Sequence, residues 1–199
     1  MIGLMGGTFS PIHYGHLLMC EHIWEEFQLE KIIFMPAKIP PHKAGAQVAG
    51  QQDRMEMVRL AIMDNPHFEV SDLEMQREGP SYTVDTLTTL KELYGPKQEF
   101  GLIIGADSLV QLESWREPER ILALAALIVA SRPDTLESSV IDASDKLREK
   151  YGARILHSKH LAMNYSSTEI RERVKKGQTI KYFVPPAVEA YIYEKGLYK

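Results

Sequence analysis

Residues 6–16 read GGTFSPIHYGH, with three glycines, two histidines and the hydroxyls of Thr8 and Ser10 in eleven positions. Three readings compete: a metal site, a phosphate cradle, or a strand-to-helix turn with no chemical role. A metal site needs a third and fourth ligand at suitable spacing. The single cysteine, Cys20, and the scattered His42 and His67 offer no convincing set. Phosphate fits better. Gly6 and Gly7 follow the first apolar residues and let backbone approach a ligand closely. Pro11 and Ile12 then lead to a helix expected to start near Tyr14, whose N–H groups and positive dipole end suit an anion. His13 and His16 flank that end. The dinucleotide spacing G-x-G-x-x-G and the P-loop lysine pattern are both absent. A locally satisfied turn explains any one glycine, but explains the whole set less well.

A second stretch, YSSTEIRERV (165–174), fits a capping box, with Ser166 as the cap and Glu169 reaching back. Ser166, Ser167 and Thr168 would then present hydroxyls and N–H groups to an anion. Arg171 lies about one turn further on, and arginine grips phosphate oxygens in pairs. Taken alone, Arg171 reads as a solvated helix residue and Lys43, in PPHK, as a solvated loop residue. Asp107, in IIGADS, could cap a helix or meet a ligand. Trp115 reads most simply as core.

The elements that would position these residues alternate. Strands are expected at 1–5, 31–36, 67–72, 99–107, 126–131 and 153–157. Helices are expected at 14–28, 53–64 with Asp53 as cap, 83–95, 166–177 and 185–196. Strands without polar alternation, such as ALIVAS, belong to sheets covered on both faces. The expected fold is therefore α/β, a Rossmann-like parallel sheet with helices on both faces. Ligands in such sheets bind beyond the carboxyl ends of the strands, where GGTFSPIHYGH, PAKIPPHK and GADS would all sit.

A chain of 199 residues, 44% hydrophobic, accommodates one full core, so residues 1–199 are expected to form a single domain. No apolar run reaches the roughly 20 residues that span a bilayer. MIGLMGG has neither the basic flank nor the apolar length of a signal peptide. One cysteine fits a reducing cytoplasm. A net charge of −4 argues against bulk nucleic-acid binding while allowing a local basic pocket.

GGTFSPIHYGH resembles the H-x-G-H signature of the nucleotidylyltransferase superfamily, and YSSTEIRERV resembles its second signature, I-S-S-T-x-x-R. PPHK, GPSYTVDTL, IIGADSL, the tryptophan of SWREPE, SRP and the C-terminal GLY extend the resemblance to the bacterial nicotinate-nucleotide adenylyltransferases nearly end to end. Two positions depart from the family pattern: Ser10 stands where aspartate is usual, and Ala37 where asparagine is frequent.

The resemblance implies adenylyl transfer from ATP to nicotinate mononucleotide, with Mg²⁺ accompanying ATP. It implies that His13, His16, Lys43 and Arg171 act on the phosphates. Gly6, Gly7, Thr8, Phe9, Ser10, Gly105, Asp107, Arg132, Ser166, Ser167 and Thr168 would bind ATP, with the C-terminal helices from about 166 closing its site. Trp115 would stack on the pyridine ring with Thr83 nearby. No resident metal site, nucleic acid or membrane is implied, and a homo-oligomer is allowed. The alternatives are a sister enzyme such as pantetheine-phosphate adenylyltransferase, a nucleotide-binding regulatory module without turnover, and a metal-dependent hydrolase.

Overall fold

The structure, a computed structural model, describes residues 1–38, 48–130, 138–159 and 165–199. Six strands form one sheet: β1 (Ile2–Gly7), β2 (Ile32–Pro36), β3 (Phe68–Val70), β4 (Phe100–Gly105), β5 (Ala126–Ala130) and β6 (Ile155–Ser158). Their order is β3-β2-β1-β4-β5-β6 and every pairing is parallel.

Successive strand residues point to opposite faces, and here each face meets its own apolar layer. Ile33, Met35, Leu102, Ile104, Leu127 and Val129 belong to one layer. Ile32, Phe34, Ile103 and Ile128 belong to the other. The first layer is completed by α4 (Thr83–Tyr94), α5 (Ala106–Val110), α6 (Pro118–Leu124) and α7 (Ser138–Tyr151), through residues such as Leu87, Leu109, Ile121 and Leu147. The second is completed by α1 (Tyr14–Glu26), α2 (Gln51–Ile62), α8 (Ser167–Lys175) and α9 (Pro186–Glu194), through Ile23, Met57, Ile170 and Ile192. Full burial of such aliphatic side chains contributes about 1.5–3 kcal/mol each, so the strand ends that carry the loops rest on a rigid base. A short helix, α3 (Leu73–Gln76), follows β3. Among the described residues no helix is long and apolar enough to cross a membrane.

The expected parallel sheet with two helical layers is present. Several boundaries differ. β1 continues through Gly7, because Ala37 N–H bonds to the Gly7 carbonyl and extends the pairing with β2. Helix α2 begins two residues ahead of the expected cap. Gly50 is its N-cap, and the Asp53 carboxylate instead accepts a hydrogen bond from the Tyr191 hydroxyl at 2.9 Å, tying α9 to α2. The fourth strand ends at Gly105, not at 107. Gly105 caps α5, which leaves Asp107 in its first turn and not at its cap. Helices α3, α6 and α7 fall in stretches where the sequence reading placed no element.

Candidate active site

Strand order reverses between β1 and β4, where Met5 lies opposite Ile103. Two neighbouring strands whose crossovers leave on opposite faces part their loops and open a crevice. A cleft of about 530 Å³ opens there, walled by Gly6, Gly7, Thr8 and His16 on one side and by Tyr82, Thr83, Trp115 and Arg116 on the other.

The turn after β1 is built around two tight approaches. A side chain at residue 7 would bring its Cβ to 2.8 Å from the Phe9 ring, which is buried beneath the turn. A Cβ at residue 15 would stand 2.9 Å from that of Tyr165 and 3.1 Å from His13 Nδ1. Glycine between the two histidines therefore lets residue 165 pass against the start of α1.

His13 is the N-cap of α1 in extended backbone conformation. Its N–H donates to His16 Nδ1 at 3.3 Å, and the His16 N–H returns to the His13 carbonyl at 2.9 Å. A neutral imidazole that accepts at Nδ1 carries its proton on Nε2, so His16 brings a donor to the cleft. The two rings stack with centroids 3.7 Å apart and planes 19° from parallel. The His13 ring is buried, and its Nδ1 has no hydrogen-bond partner among the described residues. Burial lowers the His13 pKa to about 4, which keeps the ring neutral at pH 7.

The second stretch docks on the first. Ser166 is the N-cap of α8 and accepts from the Glu169 N–H; this is the half of the expected capping box that forms. The Ser167 hydroxyl donates to the Pro11 carbonyl at 2.9 Å. Arg171 Nη1 donates to the Ser10 carbonyl at 2.8 Å, and its Nη2 to Thr168 Oγ1 at 3.2 Å. Residues from the two ends of the chain thus share one loop, and the Arg171 guanidinium comes to the His13–His16 turn.

The structural likenesses support the same fold. The chain aligns with the nicotinic acid mononucleotide adenylyltransferase of Plasmodium falciparum in a complex with NaAD, at a TM-score of 0.79 and 23% identity, over 99% of this chain and 96% of that one. The family model described as cytidylyltransferase-like matches residues 4–173. The probable nicotinate-nucleotide adenylyltransferase of Lachnoclostridium phytofermentans is 46% identical over 99% of this chain and 98% of its own. The protein of the same name from Desulfitobacterium hafniense strain Y51 is 49% identical over 100% of this chain and 95% of its own. The chain belongs to the cytidylyltransferase-like family, on its nicotinate-nucleotide adenylyltransferase branch.

The chain brings seven of the sequence-predicted residues to the cleft. Gly6, Gly7, Thr8, His16, Thr83, Gly105 and Trp115 line the cleft. Trp115 also packs on the first apolar layer, in line with its core reading. Phe9 and Ser10 are buried behind the turn, outside the cleft lining. Ser10 Oγ accepts from the Ala49 N–H at 3.0 Å and lies 2.9 Å from the Tyr198 hydroxyl. Asp107 is exposed on α5, next to the cleft residue Ser108. Lys43 and Arg132 lie outside the described residues.

Four residues escaped sequence reasoning. Glu74 is a buried acid on the cleft wall, held by the Thr86 hydroxyl at 2.7 Å, which in turn accepts from Arg77 at 2.6 Å. Arg116 places its guanidinium 4.7 Å over the Tyr82 ring. Arg54 and Tyr198 are buried behind the turn after β1. The SWREPE and C-terminal GLY matches touched Arg116 and Tyr198 but gave neither a role. Among the described residues no group of three His, Cys, Asp or Glu side chains gathers as a metal site.

Proposed function

We propose that this protein transfers the adenylyl group of ATP to nicotinate mononucleotide, giving nicotinate adenine dinucleotide and pyrophosphate, a step of NAD biosynthesis in the cytoplasm. The observation that carries this reading is the meeting of His13, His16 and Arg171 at the turn after β1, from which His16 enters a cleft whose other side offers Trp115 and Thr83. The names of the relatives supply the substrate pair.

A phosphate oxygen of the mononucleotide attacks the α-phosphorus of ATP. The bond from that phosphorus to the β-bridging oxygen breaks, and pyrophosphate leaves with the electron pair. The nucleophile is already anionic, so the protein needs to position and neutralise, not to form a covalent intermediate. Gly6, Gly7 and Thr8 admit the phosphates to the backbone, and the start of α1 faces them. His16 donates to an oxygen on which charge builds. His13, held neutral by burial, keeps the His16 ring stacked in place and donates to a phosphate oxygen. Lys43 and Arg171 hold the triphosphate. Ser166, Ser167 and Thr168 line its far end, with α8 and α9 closing the site. Gly105, Asp107 and Arg132 face the adenosine. The pyridine ring lies on Trp115, with Thr83 beside its carboxylate. Mg²⁺ enters as part of the ATP substrate. The described donors near the turn are backbone, hydroxyl and imidazole groups, which suits an ion that keeps its phosphate and water ligands.

The test is pyrophosphate release from Mg-ATP with nicotinate mononucleotide, nicotinamide mononucleotide and phosphopantetheine as separate acceptors. The expected result is release with the nicotinate acceptor in preference to the others. Faster release with phosphopantetheine would assign the chain to the sister reaction. Tight ATP binding with no release from any acceptor would make it a regulatory module.

A further inference from the structure

Arg54 is among the most deeply buried side chains of the protein, 2% exposed, on the first turns of α2. Its three hydrogen bonds all end on backbone carbonyls: Nε to Ala49 at 3.1 Å, Nη1 to Thr8 at 2.9 Å and Nη2 to Lys38 at 3.1 Å. No carboxylate among the described residues forms an ion pair with it. The neighbouring Tyr198 phenol does not compensate it either, since burial pushes that group up to about 12. A buried cation without a counter-charge is costly unless something offsets it.

The three carbonyls satisfy its donors but bring no counter-charge, and their positions tie it to the cleft. Thr8 belongs to the turn that lines the cleft, and Lys38 and Ala49 stand on either side of the stretch that carries Lys43 in the sequence. One guanidinium therefore joins the phosphate turn to the end of β2 and the start of α2. Its planar fork reaches three acceptors that an ammonium could not hold together. It does so one residue layer behind the place where the most highly charged ligand of this reaction would sit.

We infer that Arg54 is a positioning residue for adenylyl transfer, one that holds the turn after β1 in register with the flanks of residues 39–47 and leaves its charge to be offset by the bound triphosphate. This rests on the reading of the cleft as an ATP site. Its test is the pair Arg54→Gln and Arg54→Lys, both measured at a temperature where circular dichroism shows them folded.

Titration with inorganic tripolyphosphate needs no acceptor and so stands apart from the proposed reaction. Loss of a hydrogen-bonded charge should weaken tripolyphosphate and ATP binding in Arg54→Gln by about tenfold or more, while the KM for nicotinate mononucleotide stays near the parent's. Arg54→Lys keeps the charge and loses the fork; its tripolyphosphate affinity should stay within about threefold of the parent's while kcat falls. Parent-like tripolyphosphate affinity in folded Arg54→Gln would overturn the inference. Equal weakening of ATP and nicotinate mononucleotide would do the same, since that marks a general loosening of the cleft. If Arg54→Gln does not fold, the lysine variant decides alone: parent values of both kcat and KM would refute the positioning role. Absence of pyrophosphate release by the parent would refute the proposed reaction and leave the tripolyphosphate result standing.

Discussion

Replacing His13 by asparagine should change how stability responds to acid. In the folded protein burial holds the His13 pKa at about 4, against 6.5 for the same group in water. The unfolded chain therefore takes up a proton as pH falls through 6.5, while the folded protein does not until near 4. The unfolded state binds more protons in that window, so stability falls as pH falls. The lowering amounts to about 2.5 pH units, and each unit is worth about 1.4 kcal/mol. The parent should thus lose about 3 kcal/mol between pH 7 and pH 4 from this residue alone. Carboxylates such as Glu56, whose pKa Arg59 holds low, also weaken the fold in acid. They do so equally in both proteins, so the difference between parent and variant isolates His13. Urea unfolding of the ligand-free proteins at intervals from pH 4 to 8 measures it. The gap between His13→Asn and parent should move by about 3 kcal/mol in favour of the variant as pH drops. A gap that stays constant with pH would show that the folded protein protonates His13 as readily as the unfolded chain does.

His16→Ala should lower kcat by about 10²–10³ and shift the KM for ATP much less, because a preorganised donor acts mainly as charge builds; unchanged turnover would make the ring merely structural. Arg171→Ala should raise the KM for ATP, and Arg171→Lys should recover it only in part for want of the planar fork, so parent-like ATP kinetics in both would assign Arg171 to its contacts with Ser10 and Thr168 alone. The acid should be preferred to the amide by about one to two orders of magnitude in kcat/KM, since an amide NH₂ facing donors is left unpaired. If Trp115→Ala leaves the kcat/KM of both acceptors unchanged, the ring does not stack on that residue.

The sequence made the sheet legible because β4 and β5 are short apolar runs with no polar alternation, and such runs have few other uses in a chain of this composition. The cleft was legible for a related reason: glycine and histidine at the end of β1 need the geometry of a strand-to-helix turn. Helix α7 was not recognised, although Val140, Ser144 and Leu147 are spaced to bury one face. The polar residues between them mask that stripe. Asp53 misled because a carboxylate near a helix start satisfies the capping pattern locally, whereas its partner, Tyr191, is far away in sequence. Arg54 and Glu74 could not be found at all. Charged residues in amphipathic stretches read as solvated, and only the tertiary contacts with Thr8, Lys38 and Thr86 show that these two are buried.

The fate of labelled phosphorus tests the central claim most directly. With nicotinate mononucleotide as acceptor, label from the α-position of ATP should appear in the dinucleotide product, and label from the γ-position should appear wholly in pyrophosphate. Label from the γ-position in the acceptor, or label from both positions remaining in ATP, would contradict adenylyl transfer at this cleft.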